Sequence, residues 1–303
     1  MTKKQKPLAM DISAKAMLAS LTIRIPPFSK KDKEVTDEVL TNHQAKSDAG
    51  SFNKKLISCE ILKEIRQIAG DARNNVHYKL TLPWDQDGAR ILPAAAAAEY
   101  DKELRERKTQ FDNLVSKFLA GYEAKVRSER DRLGGLWKAE DYRSVEEVRE
   151  RFAWELLITP MPNADDFRVS LSKEMTERVR QQIEERARKN VEEGMASLFE
   201  RAAKIVAHMA ESLEDYKVSV DAEGNEKKEN PFRDTITRNV VELAQQLPML
   251  NLTDDPRISA LTGKITTKLT KHSPKELRES DTTRKAVAKD ARSILEDMKG
   301  YMG

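Results

Sequence analysis

Apolar and polar positions change their period several times along this chain, and each change marks an element. "MLASLTIRIPP" alternates Leu21, Ile23 and Ile25 against Thr22 and Arg24 before two prolines. A period of two predicts a strand over about 17–25. The polar run behind it predicts a short helix near 32–42. "SCEILKEIRQIAGDARNNV" sets Ile61, Leu62, Ile65, Ile68, Ala69 and Ala72 on one helical face, with Ser58 as the expected cap. "YKLTLPWDQDGARILP" reads as an extended piece with a turn at Asp87-Gly88.

A 3.6-residue stripe then runs through Tyr100, Leu104, Phe111, Leu114, Val115, Phe118, Tyr122 and Val126. It predicts one helix over about 95–133, ended by Gly134-Gly135. "SVEE" at 144–147 is a capping-box pattern. "FAWELLITP" and "DFRVSL" alternate and predict strands that join the first in a small antiparallel sheet. After Ser172 a second very long helix is expected to about 213. Its buried side runs from Met175, Val179 and Ile183 through Val191, Met195, Leu198, Phe199, Ala202, Val206 and Met209 to Leu213. "KVSVDAEGNEKKEN" reads as a loop or exposed hairpin. Asn230-Pro231, Asp255-Pro256 and Ser273-Pro274 each open a helix by pairing a cap with proline. Asp281 starts the last helix, which Gly300 is expected to end.

The expected fold is mainly α (α+β). Two helices of about forty residues form a hairpin, with a small antiparallel sheet and a helical C-terminal cluster. Three regions follow from the pattern: an N-terminal α/β region over 1–92, the long helical hairpin over 93–216 and the helical cluster over 230–303. Helices of that length usually need a partner for their stripe, so a homo-oligomer is expected.

Charge sharpens this picture. The 303 residues carry 54 Lys/Arg against 51 Asp/Glu, but unevenly. Residues 1–90 hold 16 against 11, and residues 257–303 hold 11 against 6. Basic ends on an acidic middle suggest a polyanionic partner. The single cysteine, Cys59, fits a reducing, cytoplasmic setting. No run approaches the length of a membrane span, and no apolar run behind the basic start suggests a signal peptide.

Chemistry is sparse. "LTGKITTKLTKHSPKE" begins like a nucleotide-binding loop, but Gly263-Lys264 is followed by Ile265, and Ile258 stands where the first glycine belongs. It reads instead as an amphipathic helix with Lys264, Lys268 and Lys271 on one face, suited to phosphate contacts. The N-terminal region mixes Lys30, Lys31, Lys54 and Lys55 with Phe52 and Tyr78, the cation–ring combination that single strands favour. The structural alternative is a solvated helix face for the lysine row and a core position for Phe52. His43, His77, His208 and His272 show no metal spacing, and Asp85 and Asp87 fit a turn. No catalytic constellation or cofactor motif is visible, so a non-enzymatic protein is expected.

"LASLTIRIPPFSKKDKEVTDEV", "DGARILP", "NADDFRVSL", "AHMAESL", "LPMLNLTDDP" and "ILEDMKGYMG" together resemble an uncharacterised family of tailed-bacteriophage proteins, over nearly the whole chain. There is a more distant similarity to phage single-stranded-DNA-binding RNA-polymerase cofactors of the Drc type, from which no binding residue carries over. The resemblance implies work in phage DNA metabolism or transcription inside an infected bacterial cell, through preferential binding of single-stranded DNA. The alternative it implies is an adaptor or scaffold for a protein partner, such as a MoxR-type ATPase or a host factor.

Overall fold

The computed structural model describes residues 12–85, 88–163, 172–220 and 226–302. The order is β1 (Ala16–Arg24), β2 (Ser29–Asp32), α1 (Lys33–Asn42), β3 (Phe52–Lys55), α2 (Glu60–Asp71), a π-helical turn over Ala72–His77, β4 (Leu82–Pro83) and β5 (Arg90–Pro93). Then come α3 (Ala94–Ala120), α4 (Tyr122–Leu133), α5 (Val145–Arg151), β6 (Ala153–Pro160), α6 (Lys173–Asp215), β7 (Lys217–Val220) and β8 (Glu226–Glu229). The chain closes with α7 (Thr235–Leu250), α8 (Pro256–Lys268), α9 (Pro274–Glu279) and α10 (Asp281–Met302). The fold is mainly α with a small antiparallel sheet, as the periodicity predicts. The main sheet has the order β4-β5-β1-β6, with Ala16 opposite Pro93 and Leu82 opposite Ile91.

Contacts group the chain into two units, which differ from a division at 92/93 and 216/230. One unit comprises Met1–Ser20, Tyr78–Glu99 and Ile158–Gly303, and the other Leu21–His77 and Tyr100–Leu157. The boundary falls inside β1, α3 and β6, so consecutive segments do not map onto consecutive domains.

In the first unit, α6 packs against α10, α7 and β4. Val191, Leu198, Ala202, Val206 and Met209 meet Val240, Leu243, Ile265 and Ile294 in one continuous core. Gly194 sits where α6 crosses the sheet. A Cβ there would meet the Pro83 carbonyl at 3.3 Å and Leu82 Cβ at 3.4 Å, so only glycine allows this approach without adjustment. The buried stripe starts at Ala187; Met175 is exposed, and Val179 and Ile183 are half-buried. The first turns of α6 therefore depart from the expected buried side, because packing against the stripe begins only where α10, α7 and β4 reach it.

In the second unit an aromatic cluster forms the centre. Phe118 meets Phe28 at 5.2 Å, Tyr122 at 5.8 Å and Phe152 at 6.0 Å between ring centroids. The stripe predicted on residues 95–133 is the surface that builds it. Yet the single expected helix is two. Gly121 takes φ −98° and ψ 2°, and its N–H bonds back only three residues, to Phe118. Glycine is a poor helix former, and the ladder breaks there while the apolar period runs on.

Caps are accurate where they are local. Ser144 and Ser273 form full capping boxes with Glu147 and Glu276, Asp255 caps α8 ahead of Pro256, and Ser172 caps α6. Three termini differ from expectation. Cys59, not Ser58, stands before α2, and the Ser58 N–H donates to Glu129 Oε1 at 3.0 Å. Asn230 adopts φ 50° and its side chain donates to the Asp215 carbonyl, so α7 starts later, behind Asp234. The last helix runs through Gly300 to Met302. The strand expected at "DFRVSL" and the Asp87 half of the turn lie outside the described residues.

Candidate functional site

The lysine row forms on α8 as its spacing requires, but it is neutralised across the helix pair. Lys264 Nζ lies 2.6 Å from Asp297 Oδ2, and Lys268 Nζ lies 2.9 Å from Asp290 Oδ1, both carboxylates being on α10. Thr267 and Thr270 donate their hydroxyls to carbonyls of their own helix, at 2.7 and 2.8 Å. Lys271 alone of the three lysines stands exposed without an ion pair among the described residues. The row is therefore a salt-bridged seam rather than an open basic face.

The N-terminal lysines are brought together on the β2–β3 hairpin, where Lys30 is opposite Lys54 and Asp32 opposite Phe52. Their fates differ. Lys54 is 2% exposed and sits between Asp141 Oδ2 at 2.6 Å and Asp32 Oδ2 at 3.0 Å, while donating to the Leu136 carbonyl. Burial works against its charge, but the hydrogen bonds to Asp141 and Asp32 outweigh burial and raise its pKa. Burial likewise opposes the charge of Asp141, yet Lys30 and Lys54 hold its pKa below the ordinary carboxylate value. The bond from Lys54 holds Asp32 low too. Lys54 is a structural cation, inaccessible to a surface ligand; this corrects its expected role. Lys30 spends its charge on the same Asp141 at 2.6 Å. Lys31 and Lys55 are exposed, and Phe52 is half-buried.

Tyr78 belongs to the other unit. It is 47% exposed, with the Arg90 guanidinium 4.9 Å from its ring centre. Arg201 holds the backbone beside it, donating to the Tyr78 and Lys79 carbonyls at 3.1 Å. Burial, and then the neighbouring Arg90, push Arg201 down to about 10.

The concentration of positive charge lies elsewhere in the first unit. A cavity of about 920 Å³ is lined by the end of α6, the β7–β8 hairpin, α9 and the N-terminal half of α10. The hairpin contributes Lys217 and Lys228, and α9 contributes Lys275 and Arg278. From α10 come Arg284, Lys285, Lys289 and Arg292, spaced so that successive turns present them to one side. Three carboxylates answer these eight cations: Glu214, Glu279 and Asp281. Arg292 grips Glu214 through two bonds of 2.6 and 2.9 Å, and Lys285 reaches Asp281 at 2.7 Å. The bond from Arg292 lowers the pKa of Glu214, and that from Lys285 lowers the pKa of Asp281. Lys217, Lys228 and Lys289 have no ion pair among the described residues.

No protein-family model matches the chain, nor does any curated protein or solved structure. The site therefore rests on its own geometry. Among the described residues no group of His, Cys, Asp and Glu is placed to hold a metal ion, and no helix is long and apolar enough to cross a membrane. His77 is buried, with Nδ1 2.7 Å from the Tyr100 hydroxyl.

The C-terminal stretch is basic on both α8 and α10, and spacing alone singled out the α8 row. Lys285, Lys289 and Arg292 repeat the four-then-three spacing of Lys264, Lys268 and Lys271. That signal was available. What distinguishes the two rows is the location of the carboxylates, which spacing does not carry.

Proposed function

We propose that this chain is a non-enzymatic DNA-binding protein that prefers single strands and serves phage DNA metabolism or transcription. The observation that supports the reading is the surplus of eight cations over three carboxylates around one concave, 920 Å³ site. Phosphate contacts supply most sequence-independent affinity, and a cavity of this kind suits a short length of flexible strand better than the rim of a rigid duplex. Lys217, Lys228 and Lys289 are the first phosphate contacts, in place of Lys264 and Lys268. Lys31, Lys55 and Lys271 remain as exposed auxiliary cations, with Tyr78 as an auxiliary ring.

The test is fluorescence anisotropy with a labelled single-stranded oligonucleotide and its duplex. Three phosphate contacts correspond to a log–log salt slope of about −2 for a single strand. Raising salt from about 50 to about 200 mM should then weaken binding roughly fifteen- to twentyfold. Equal affinity for duplex, or no salt dependence, would overturn the reading.

A second reading, an oligomeric adaptor for a protein partner such as a MoxR-type ATPase or a host factor, is favoured by one feature. Leu156 and Leu157 of β6 stand 38% and 61% exposed, and adjacent exposed leucines suit a protein contact. Light scattering decides the oligomer part: a mass above the monomer that Leu157→Lys reduces supports it, and a monomer with no oligonucleotide-independent partner retires it.

A further inference from the structure

We infer that the floor of the basic cavity is a seat for a single phosphoryl group, formed by the Tyr216 hydroxyl and the Arg284 guanidinium. This deepens the polyanion reading of the same cavity and rests on it for the identity of the strand. Tyr216 lines the cavity yet is only 2% exposed, and its buried hydroxyl has no hydrogen-bond partner among the described residues. A buried tyrosine normally satisfies its hydroxyl, because leaving it unpaired forfeits its hydration for nothing. The ring itself is fixed. Phe232 meets it edge-on at 5.2 Å, and the Arg284 guanidinium lies 4.8 Å from its centre.

Arg284 is 5% exposed and equally constrained, donating to the Leu277 carbonyl at 3.2 Å and to Asp281. The hydroxyl is thus an unused donor on a ring covered by a fixed guanidinium, at the first turns of the 22-residue α10, where the helix dipole adds positive potential. The ligand that satisfies this set is an acceptor-rich anion. A phosphoryl group offers several oxygens, one for the hydroxyl and others for Arg284 and the lysines at the mouth. The surplus of cations over carboxylates around the cavity suits the charge of phosphate.

Tyr216→Phe removes only the hydroxyl and keeps the ring packing. Thermal unfolding of the free variant should be unchanged or slightly raised, since a buried unpaired group is lost. Affinity should fall about tenfold or more, the worth of one hydrogen bond to a charged acceptor. The ligands are a 5′-phosphorylated oligonucleotide, the same strand with a 5′-hydroxyl, and inorganic phosphate. A loss confined to the phosphorylated strand assigns the seat to strand ends, and an equal loss on both strands assigns it to internal phosphates. If both strands bind wild type and Tyr216→Phe equally, the seat is wrong while the cavity still binds DNA. If neither strand binds wild type but inorganic phosphate raises its unfolding temperature and not that of Tyr216→Phe, the seat stands and the DNA reading falls. A marked drop in the stability of free Tyr216→Phe would show that the hydroxyl is already partnered, and would overturn the inference.

Discussion

The β2–β3 hairpin and the α10 cavity contain the same kind of residue and use it in opposite ways. On the hairpin, Lys54 is enclosed by Asp141 and Asp32, and Lys30 shares Asp141. At the cavity, Lys217, Lys228 and Lys289 stand among too few acids. One cluster is electrically closed and the other open. A lysine's charge is therefore disposed by where the carboxylates fall in space: a closed cluster spends it inside the fold, and an open one leaves it unpaired among the described residues.

Breaking the closed cluster should show the largest effect on stability. Lys54→Met leaves Asp141 and Asp32 enclosed without their main partner. A cost of about 3 kcal/mol is expected, at the low end for a broken buried pair because Lys30 still faces Asp141. Urea unfolding measures it, and oligonucleotide affinity should not change. A loss below about 1 kcal/mol would place Lys54 among ordinary surface pairs.

Breaking the open cluster should move binding and not stability. Lys217→Glu, Lys228→Glu and Lys289→Glu together should remove most single-strand affinity at low salt and bring the salt slope close to zero. The matching triple on α8, Lys264→Glu, Lys268→Glu and Lys271→Glu, should weaken binding far less, because two of its lysines are already neutralised by Asp297 and Asp290. If the α8 triple proves the more damaging, the comparison is inverted.

The pH dependence of stability sharpens the contrast. Asp32 and Asp141 have pKa values held below their ordinary range, by the Lys54 bond for Asp32 and, against the effect of burial, by Lys30 and Lys54 for Asp141. Their contribution is present above about pH 4 and is lost as pH falls through the lowered values. The pKa of Lys54 is raised, so its contribution is complete below about pH 10 and is lost as pH rises beyond the ordinary lysine range. A plateau between these limits is expected in unfolding midpoints. Asp141→Asn should be less stable on the plateau and show a shallower acid limb. The smallest effects should be the caps. Ser144→Ala and Ser273→Ala should each cost about 1 kcal/mol, alike in both units, since a capping box acts within one turn whatever surrounds it.

Those caps were legible in the sequence for the same reason: Ser144, Asp255 and Ser273 act on backbone groups two or three residues away. The strand at β1 and the helix at α6 were legible through their periods. Gly121 was not, because Phe118 and Tyr122 keep the apolar stripe in register across the break. The position before α2 was misjudged by one residue: Cys59 stands there, and the Ser58 N–H meets Glu129, 71 positions on. Tyr216 and Arg284 were invisible as a pair, since nothing in their sequence neighbours marks one as buried with an unpartnered hydroxyl among the described residues and the other as stacked on its ring.

The sequence by itself determined the class of fold, most helix starts and the basic character of the C-terminal segment, because propensity, capping and net charge are local or additive. Tertiary structure alone decided that Lys54 is enclosed, that Lys264 and Lys268 meet Asp297 and Asp290, and that the lysines of α10 and the β7–β8 hairpin share one cavity. Pairing and burial depend on distances between residues far apart in the chain, and a Coulomb interaction is set by that distance and by the surrounding dielectric, neither of which is written in the order of the residues.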